Sequence, residues 1–194
     1  MIIREAPASE LPIYGRIPIA FEVREVLDCV PVEGGVGGLR LRKRKLSVPY
    51  IKDYDRIAGE GPLGWSTRFA TSRWTLLVAE ERDRWLGGAA LVFDTPGVDL
   101  LEGRGDLLLL WDIRVVPEAR GRGIGSALFR AAVEWGRARG CKQLKVETQN
   151  VNVPACRFYA RQGCVLGAID RYAYPSLPHE VQLLWYREIE PGAA

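Results

Sequence analysis

The sequence predicts an α/β (α+β) fold, a mixed central sheet of about seven strands flanked by helices, and three observations carry that prediction. Two apolar runs, residues 74–80 and 85–93, flank the polar turn Glu81-Arg82-Asp83-Arg84, which is a hairpin signature. Residues 107–116, 124–139 and 143–149 then read as strand, helix and strand in direct succession, a βαβ unit whose strands are expected to be parallel. A short helix over residues 154–162 precedes two closing strands at 165–172 and 181–187, so helices fall on the faces of a sheet that mixes both pairings.

Each element has a local cause. Residues 20–30 alternate enough for a first strand. Residues 31–70 read as irregular, with short helices around 50–58 and 64–72. The Gly34-Gly35-Val36-Gly37-Gly38 stretch reads as flexible. The basic run Arg40, Arg42, Lys43, Arg44 and Lys45 that follows reads as a solvated segment or a wall of a cofactor or partner surface. Thr95-Pro96-Gly97 and Gly103-Arg104-Gly105 break the chain around a loop. In the helix that starts at 124, Ile124, Ala127, Leu128, Ala131, Ala132 and Trp135 form one apolar stripe. Arg137 and Arg139 lie in its last turn and Gly140 stops it. Pro154 suits the first turn of the next helix, and Gly163 closes it.

Length and composition bound the function. The 194 residues suit one domain, 1–194, with a core at about 74–188 and an N-terminal part, 1–73, that supplies a first strand and substrate-side helices and loops. Hydrophobic content of 47% with 26% charged residues is that of a globular protein, and no apolar run approaches the ~20 residues that span a bilayer. No membrane partner is expected. The early Arg4, Glu5 and Glu10 do not suit a secretory signal, so a cytoplasmic location is expected. A net charge of +3 favours a polyanionic cofactor without calling for nucleic acid. Cys29, Cys141, Cys156 and Cys164 lack C-x-x-C spacing and His179 is the single histidine, so no metal site is expected and the cysteines read as buried and reduced.

The most specific segment is Trp111-Asp112-Ile113-Arg114-Val115-Val116-Pro117, followed by Arg120-Gly121-Arg122-Gly123-Ile124-Gly125-Ser126. A glycine-rich turn entering a helix presents backbone N–H groups beside the positive end of the helix dipole, and so makes a site for phosphate or pyrophosphate. A P-loop would need a Lys after the last glycine, and Gly125 is followed by Ser126. A dinucleotide fingerprint would need a third glycine at 126 or 128, where Ser126 and Leu128 stand. What remains, Arg120-x-x-Gly123-x-Gly125 after a strand, resembles the coenzyme A pyrophosphate loop of the GNAT acetyltransferase superfamily. The likeness covers roughly residues 74–188. A second block, Glu147-Thr148-Gln149-Asn150 to Phe158-Tyr159, places an Asn, Asn152, before a short helix and a Tyr, Tyr159, seven residues on. Its wording, with the later Gly167-Ala168-Ile169-Asp170, is similar to the streptothricin acetyltransferase-like members.

The resemblance implies a GNAT-type fold splayed at the CoA-binding strand, acetyl-CoA as cofactor, and an acetyl-CoA-dependent N-acetyltransferase. It implies direct attack of a primary amine on the thioester, with a small cationic acceptor, a streptothricin-like antibiotic among the candidates. The alternatives are a protein N-terminal or lysine acetyltransferase and a non-catalytic acyl-CoA-binding module. The oligomeric state is open, a homodimer included.

It also implies site residues. The strand at Ile113, Arg114 and Val115 would be interrupted and pair its backbone with the pantetheine arm. The amides from Gly121 to Ser126 would take the pyrophosphate, with charge from Arg120 and Arg122, and Asn152 would bond the pantetheine. Tyr159 is the candidate general acid for the departing thiolate, because a phenol of pKa about 10 stays protonated at neutral pH. The base is Asp112 or Glu147. Trp111, Tyr172 and Tyr174, with the two carboxylates, would form a wall that favours amines.

Overall fold

The computed structural model describes residues 1–190. Its strands are β1 (Ile2–Pro7), β2 (Phe21–Pro31), β3 (Leu39–Lys52), β4 (Thr75–Glu81), β5 (Arg84–Val92), β6 (Leu107–Val115), β7 (Gln143–Gln149), β8 (Val165–Asp170) and β9 (Gln182–Glu188). Its α-helices are α1 (Leu11–Tyr14), α2 (Pro62–Arg68), α3 (Ile124–Ala138) and α4 (Val153–Arg161). Seven strands form one sheet in the order β1-β4-β5-β6-β7-β9-β8, and β2 with β3 forms a separate two-stranded ribbon. The chain clusters into two compact units.

The first unit holds residues 1–20, 53–145 and 188–190. Here β1 pairs antiparallel with β4, β4 with β5 and β5 with β6. Helix α3 lies on β4, β5 and β6 and buries Ile124, Leu128, Phe129, Ala132, Val133 and Trp135, close to the stripe the sequence predicts. Gly140, at φ 75°, supplies the left-handed stop. Around α1 and α2, Tyr14, Trp65 and Trp74 are buried with Leu76, Val78, Leu107 and Leu109, and Trp111 and Phe69 pack against them.

The second unit holds residues 21–52 and 146–187. Asn152 starts α4 by accepting the Ala155 N–H at 3.2 Å, and Pro154 occupies its first turn. Val23, Val26 and Val151 form a small core with Phe21 and Leu46. Asn150 fastens this unit internally. Its N–H and side-chain amide bond Val181 O and Leu27 O at 3.0 Å each, and its Oδ1 accepts the Val181 N–H at 2.8 Å.

The N-terminal third is where structure and sequence reading differ most. β1 precedes the strand read as the first, and residues 39–52, read as irregular, form the longest strand. A run dense in Arg and Lys lacks the apolar alternation that marks a strand. Ribbon formation depends instead on cross-strand charge: Arg44 bonds Asp28 at 2.6 and 2.9 Å, and Lys43 lies 3.8 Å from Glu25. The glycines read as a flexible stretch turn the ribbon, with positive φ at Gly34, Gly35 and Gly38. Residues 50–52 belong to β3, so the short helix expected around 50–58 is reduced to a single 3-10 turn, Tyr54–Arg56, while α2 falls where the second short helix is expected.

Candidate active site

Strand β6 carries the first group of expected residues. Its register against β5 pairs Asp112 with Ala90 and Leu110 with Leu91, which leaves Trp111 as the extra residue of a bulge. The irregularity therefore sits at Trp111. Ile113, Arg114 and Val115, where the interruption is expected, stay in register with Ala89, Gly88 and Gly87. The Trp111 ring packs into the aromatic cluster, with ring centroids 5.1 Å from both Phe69 and Trp74.

Asp112 and Arg114, next-but-one neighbours on β6, meet through their side chains. Arg114 is 4% exposed and uses all five of its N–H groups. Nε and Nη2 donate to Asp112 at 2.9 and 2.7 Å. Nη1 and Nη2 donate to Asp55 at 2.9 and 3.2 Å, and Nη1 also reaches Ile17 O at 2.9 Å. Burial opposes the guanidinium charge, but the two carboxylates outweigh it and hold its pKa above the ordinary value. Tyr14 completes the network by donating its O–H to Asp112 Oδ1 at 2.5 Å. Burial first, and then the Asp112 charge, push the Tyr14 pKa well above 10, so the phenol is a fixed donor. A Cβ at position 88 would stand 2.7 Å from the Tyr14 ring, so Gly88 is what lets that ring reach β6.

The turn into α3 has the predicted form. Gly121 and Gly123 have φ of 76° and 80°, a conformation that costs other residues roughly 1–2 kcal/mol. Gly123 caps the helix without a side-chain bond, and the helical ladder begins at Ala127 N–H to Gly123 O. The first N–H groups of a helix have no acceptor within it. A Cβ at Gly121 or Gly123 would meet nothing within 4 Å, so the glycine backbone lies open beside the positive end of a 15-residue helix. This geometry fits a pyrophosphate. Arg122 is exposed, with Glu81 3.9 Å away. Arg120 differs from the simple picture of a charge aimed at an anion. Its guanidinium donates to Val115 O and Pro18 O at 3.1 Å each, and reaches Ala20 O at 3.5 Å. It thereby ties the turn to the N-terminal segment.

The second unit carries the other expected residues. Glu147 on β7 is half-buried. Its Oε1 accepts from Tyr174 O–H at 2.5 Å and Gln149 Nε2 at 3.1 Å, and its Oε2 accepts from Gln182 Nε2 at 2.7 Å. All three donors are neutral. Tyr159 is 4% exposed on α4, with the Phe158 ring edge-on at 5.2 Å. The side-chain oxygen of Asn152 caps α4, and its amide N–H groups remain as donors for a ligand. Tyr172 is 80% exposed beneath Arg171, and no contact joins it to Glu147 among the described residues. Sequence reasoning missed Tyr14, Asp55 and Gln182, whose partners lie 98, 59 and 35 residues away in the chain and carry no local motif. All four cysteines are free thiols, and burial raises each, Cys164 to about 11. None has the lowered pKa of a covalent nucleophile.

Comparison with known proteins fits this geometry. The acetyltransferase (GNAT) family description matches residues 45–164, and the chain belongs to that family. Streptothricin acetyltransferase of Escherichia coli is 31% identical over 170 residues, 86% of this chain and 84% of that protein. Streptothricin acetyltransferase A of Bacillus subtilis (strain 168) is 38% identical over 80 residues, 40% of this chain and less than half, 46%, of that enzyme. A nourseothricin acetyltransferase structure superposes with a TM-score of 0.76 at 24% identity, covering 97% of this chain and 98% of that one. A protein of Bacillus anthracis str. Ames, solved in complex with acetyl coenzyme A, shares the fold at a TM-score of 0.72 and 23% identity over 96% and 98% of the two chains.

Proposed function

We propose that this protein transfers an acetyl group from acetyl-CoA to a primary amine of a small cationic acceptor of the streptothricin kind. The relatives' names support the acceptor class. Glu147 is the observation that carries the chemistry. A half-buried carboxylate that accepts from three neutral donors, with no ion pair to Lys or Arg among the described residues, has no cation already paired with it and can attract an ammonium. Asp112 is the weaker candidate base, because Arg114 and Tyr14 already occupy it.

The roles follow from each group's own surroundings. Acetyl-CoA supplies the activated thioester, and the Gly121–Ser126 amides with Arg122 hold its pyrophosphate. β6 presents backbone to the pantetheine arm, to which Asn152 adds an N–H donor. Glu147 accepts the proton that leaves the acceptor ammonium. The neutral amine attacks the thioester carbon, the C–N bond forms and the C–S bond breaks. Tyr159 then gives its proton to the thiolate, and the second proton that the nitrogen sheds on becoming an amide returns through water to the Tyr159 oxygen. The raised cysteine thiols favour direct transfer without an acetyl-cysteine step.

The test is acetyl transfer by the purified protein, followed as thiol release with streptothricins, polyamines, amino acids and N-terminal peptides as acceptors. Turnover on streptothricins supports the reading, and turnover on peptides alone overturns it. In the same assay, Tyr159→Phe is expected to lower kcat about 10²-fold, as loss of a general acid does, with acetyl-CoA affinity unchanged. An unchanged kcat would remove Tyr159 from the chemistry.

A further inference from the structure

Resting on that reading, we infer that Tyr14 and Asp55 are positioning residues that fix the bulged stretch of β6 through Asp112 and Arg114. Tyr14 comes from the N-terminal segment and Asp55 from the segment before α2, and neither has a part in cofactor binding or proton transfer as set out above. Tyr14 reaches β6 through its O–H to Asp112 at 2.5 Å and through its ring, 5.1 Å from the Arg114 guanidinium carbon, and Asp55 reaches it through Arg114 at 2.9 and 3.2 Å.

Three features mark a positioning device. The first is saturation: five N–H donors of Arg114 meet five bonds, so the guanidinium has one orientation that satisfies it. The second is place. A bulge leaves an unpaired residue and a weakened ladder, and Trp111 next to Asp112 is that residue. The network supplies there, through side chains, the restraint the ladder lacks. The third is fit: Gly88, opposite Arg114 on β5, leaves the room that the Tyr14 ring fills. Ile113 lies between the two held residues, so its backbone is fixed from both sides. A thioester bound along β6 therefore meets a strand whose position is already set, and little of the binding energy is used to order it.

Tyr14→Phe tests this, since it removes one O–H and keeps the ring. The expected result is a kcat about tenfold lower, with the KM of acetyl-CoA within twofold and both limbs of the pH profile in place. Loss of the alkaline limb would make Tyr14 a proton donor and overturn the inference, as would an unchanged kcat. Asp55→Asn is expected to act in the same direction, and the pair Tyr14→Phe with Asp55→Asn less than additively, because both act on one segment. Full additivity would sever the two. Amide exchange across residues 111–115 reads the same device without an acceptor. It is expected to quicken in Tyr14→Phe while exchange in α3 stays as in the parent. Equal exchange in the two proteins would overturn the inference. Should the parent fail to acetylate any acceptor, the functional reading fails and the exchange result alone decides this one.

Discussion

Glu147→Gln is expected to lower kcat by about 10²–10³ at pH 7.5 while acetyl-CoA still binds. The ceiling comes from the acceptor. An alkylammonium of pKa about 10.4 is neutral in roughly one molecule in 10³ at that pH, and this is what a base recovers. Gln keeps the volume and can still accept from Tyr174, but it cannot take a proton or attract a cation as a carboxylate does. The variant should therefore show its own pH signature. Its rate should climb tenfold per pH unit toward the acceptor's pKa, as free amine becomes available without help, so the deficit narrows at alkaline pH. The parent should level off earlier. A pH–rate series on both proteins reads this directly. A deficit of constant size from pH 6 to 10 would mean Glu147 shapes the site without accepting the proton, and no deficit at pH 7.5 would return the role of base to Asp112.

The legibility of this chain follows the range of its interactions. The turn into α3 could be read because every part of it is local: the glycines with positive φ, the stripe from Ile124 to Trp135 and the stop at Gly140 lie within 20 consecutive residues. The Asn152 cap of α4 is legible for the same reason. β3 was hidden because its strand character depends on Asp28 and Glu25 across the ribbon rather than on its own apolar pattern. The surroundings of the two carboxylates were hidden more deeply. Nothing near Asp112 in the sequence announces Tyr14, 98 residues away, and nothing near Glu147 announces Gln182, 35 residues away. The family resemblance nominates two bases. Only the fold shows that one is held by a guanidinium and the other by neutral donors.

Arg114→Met is expected to be the most destabilising single change at the site, by about 3–5 kcal/mol, because it leaves a buried carboxylate without its counter-charge. Asp112 has a side chain only 7% exposed, and Arg114 supplies two of its three hydrogen bonds. Without the guanidinium, Asp112 and Asp55 face each other as like charges. Asp55, 26% exposed, can turn to water, and Asp112 cannot. For a chain of this length the loss corresponds to roughly 10 °C in Tm, measurable by calorimetry or urea unfolding. The partner test separates an uncompensated charge from lost packing. Adding Asp112→Asn to Arg114→Met removes the stranded charge and leaves an amide that can still accept from Tyr14, so the double variant should regain part of the stability. If the charge is the cause, the double variant is more stable than Arg114→Met alone. If the second change only adds to the damage, the cost lies in packing around the Tyr14 ring, which stands 5.1 Å from the guanidinium carbon. A loss below about 1 kcal/mol in the single variant would place this network in the range of an exposed ion pair, against the 1% side-chain exposure of Arg114.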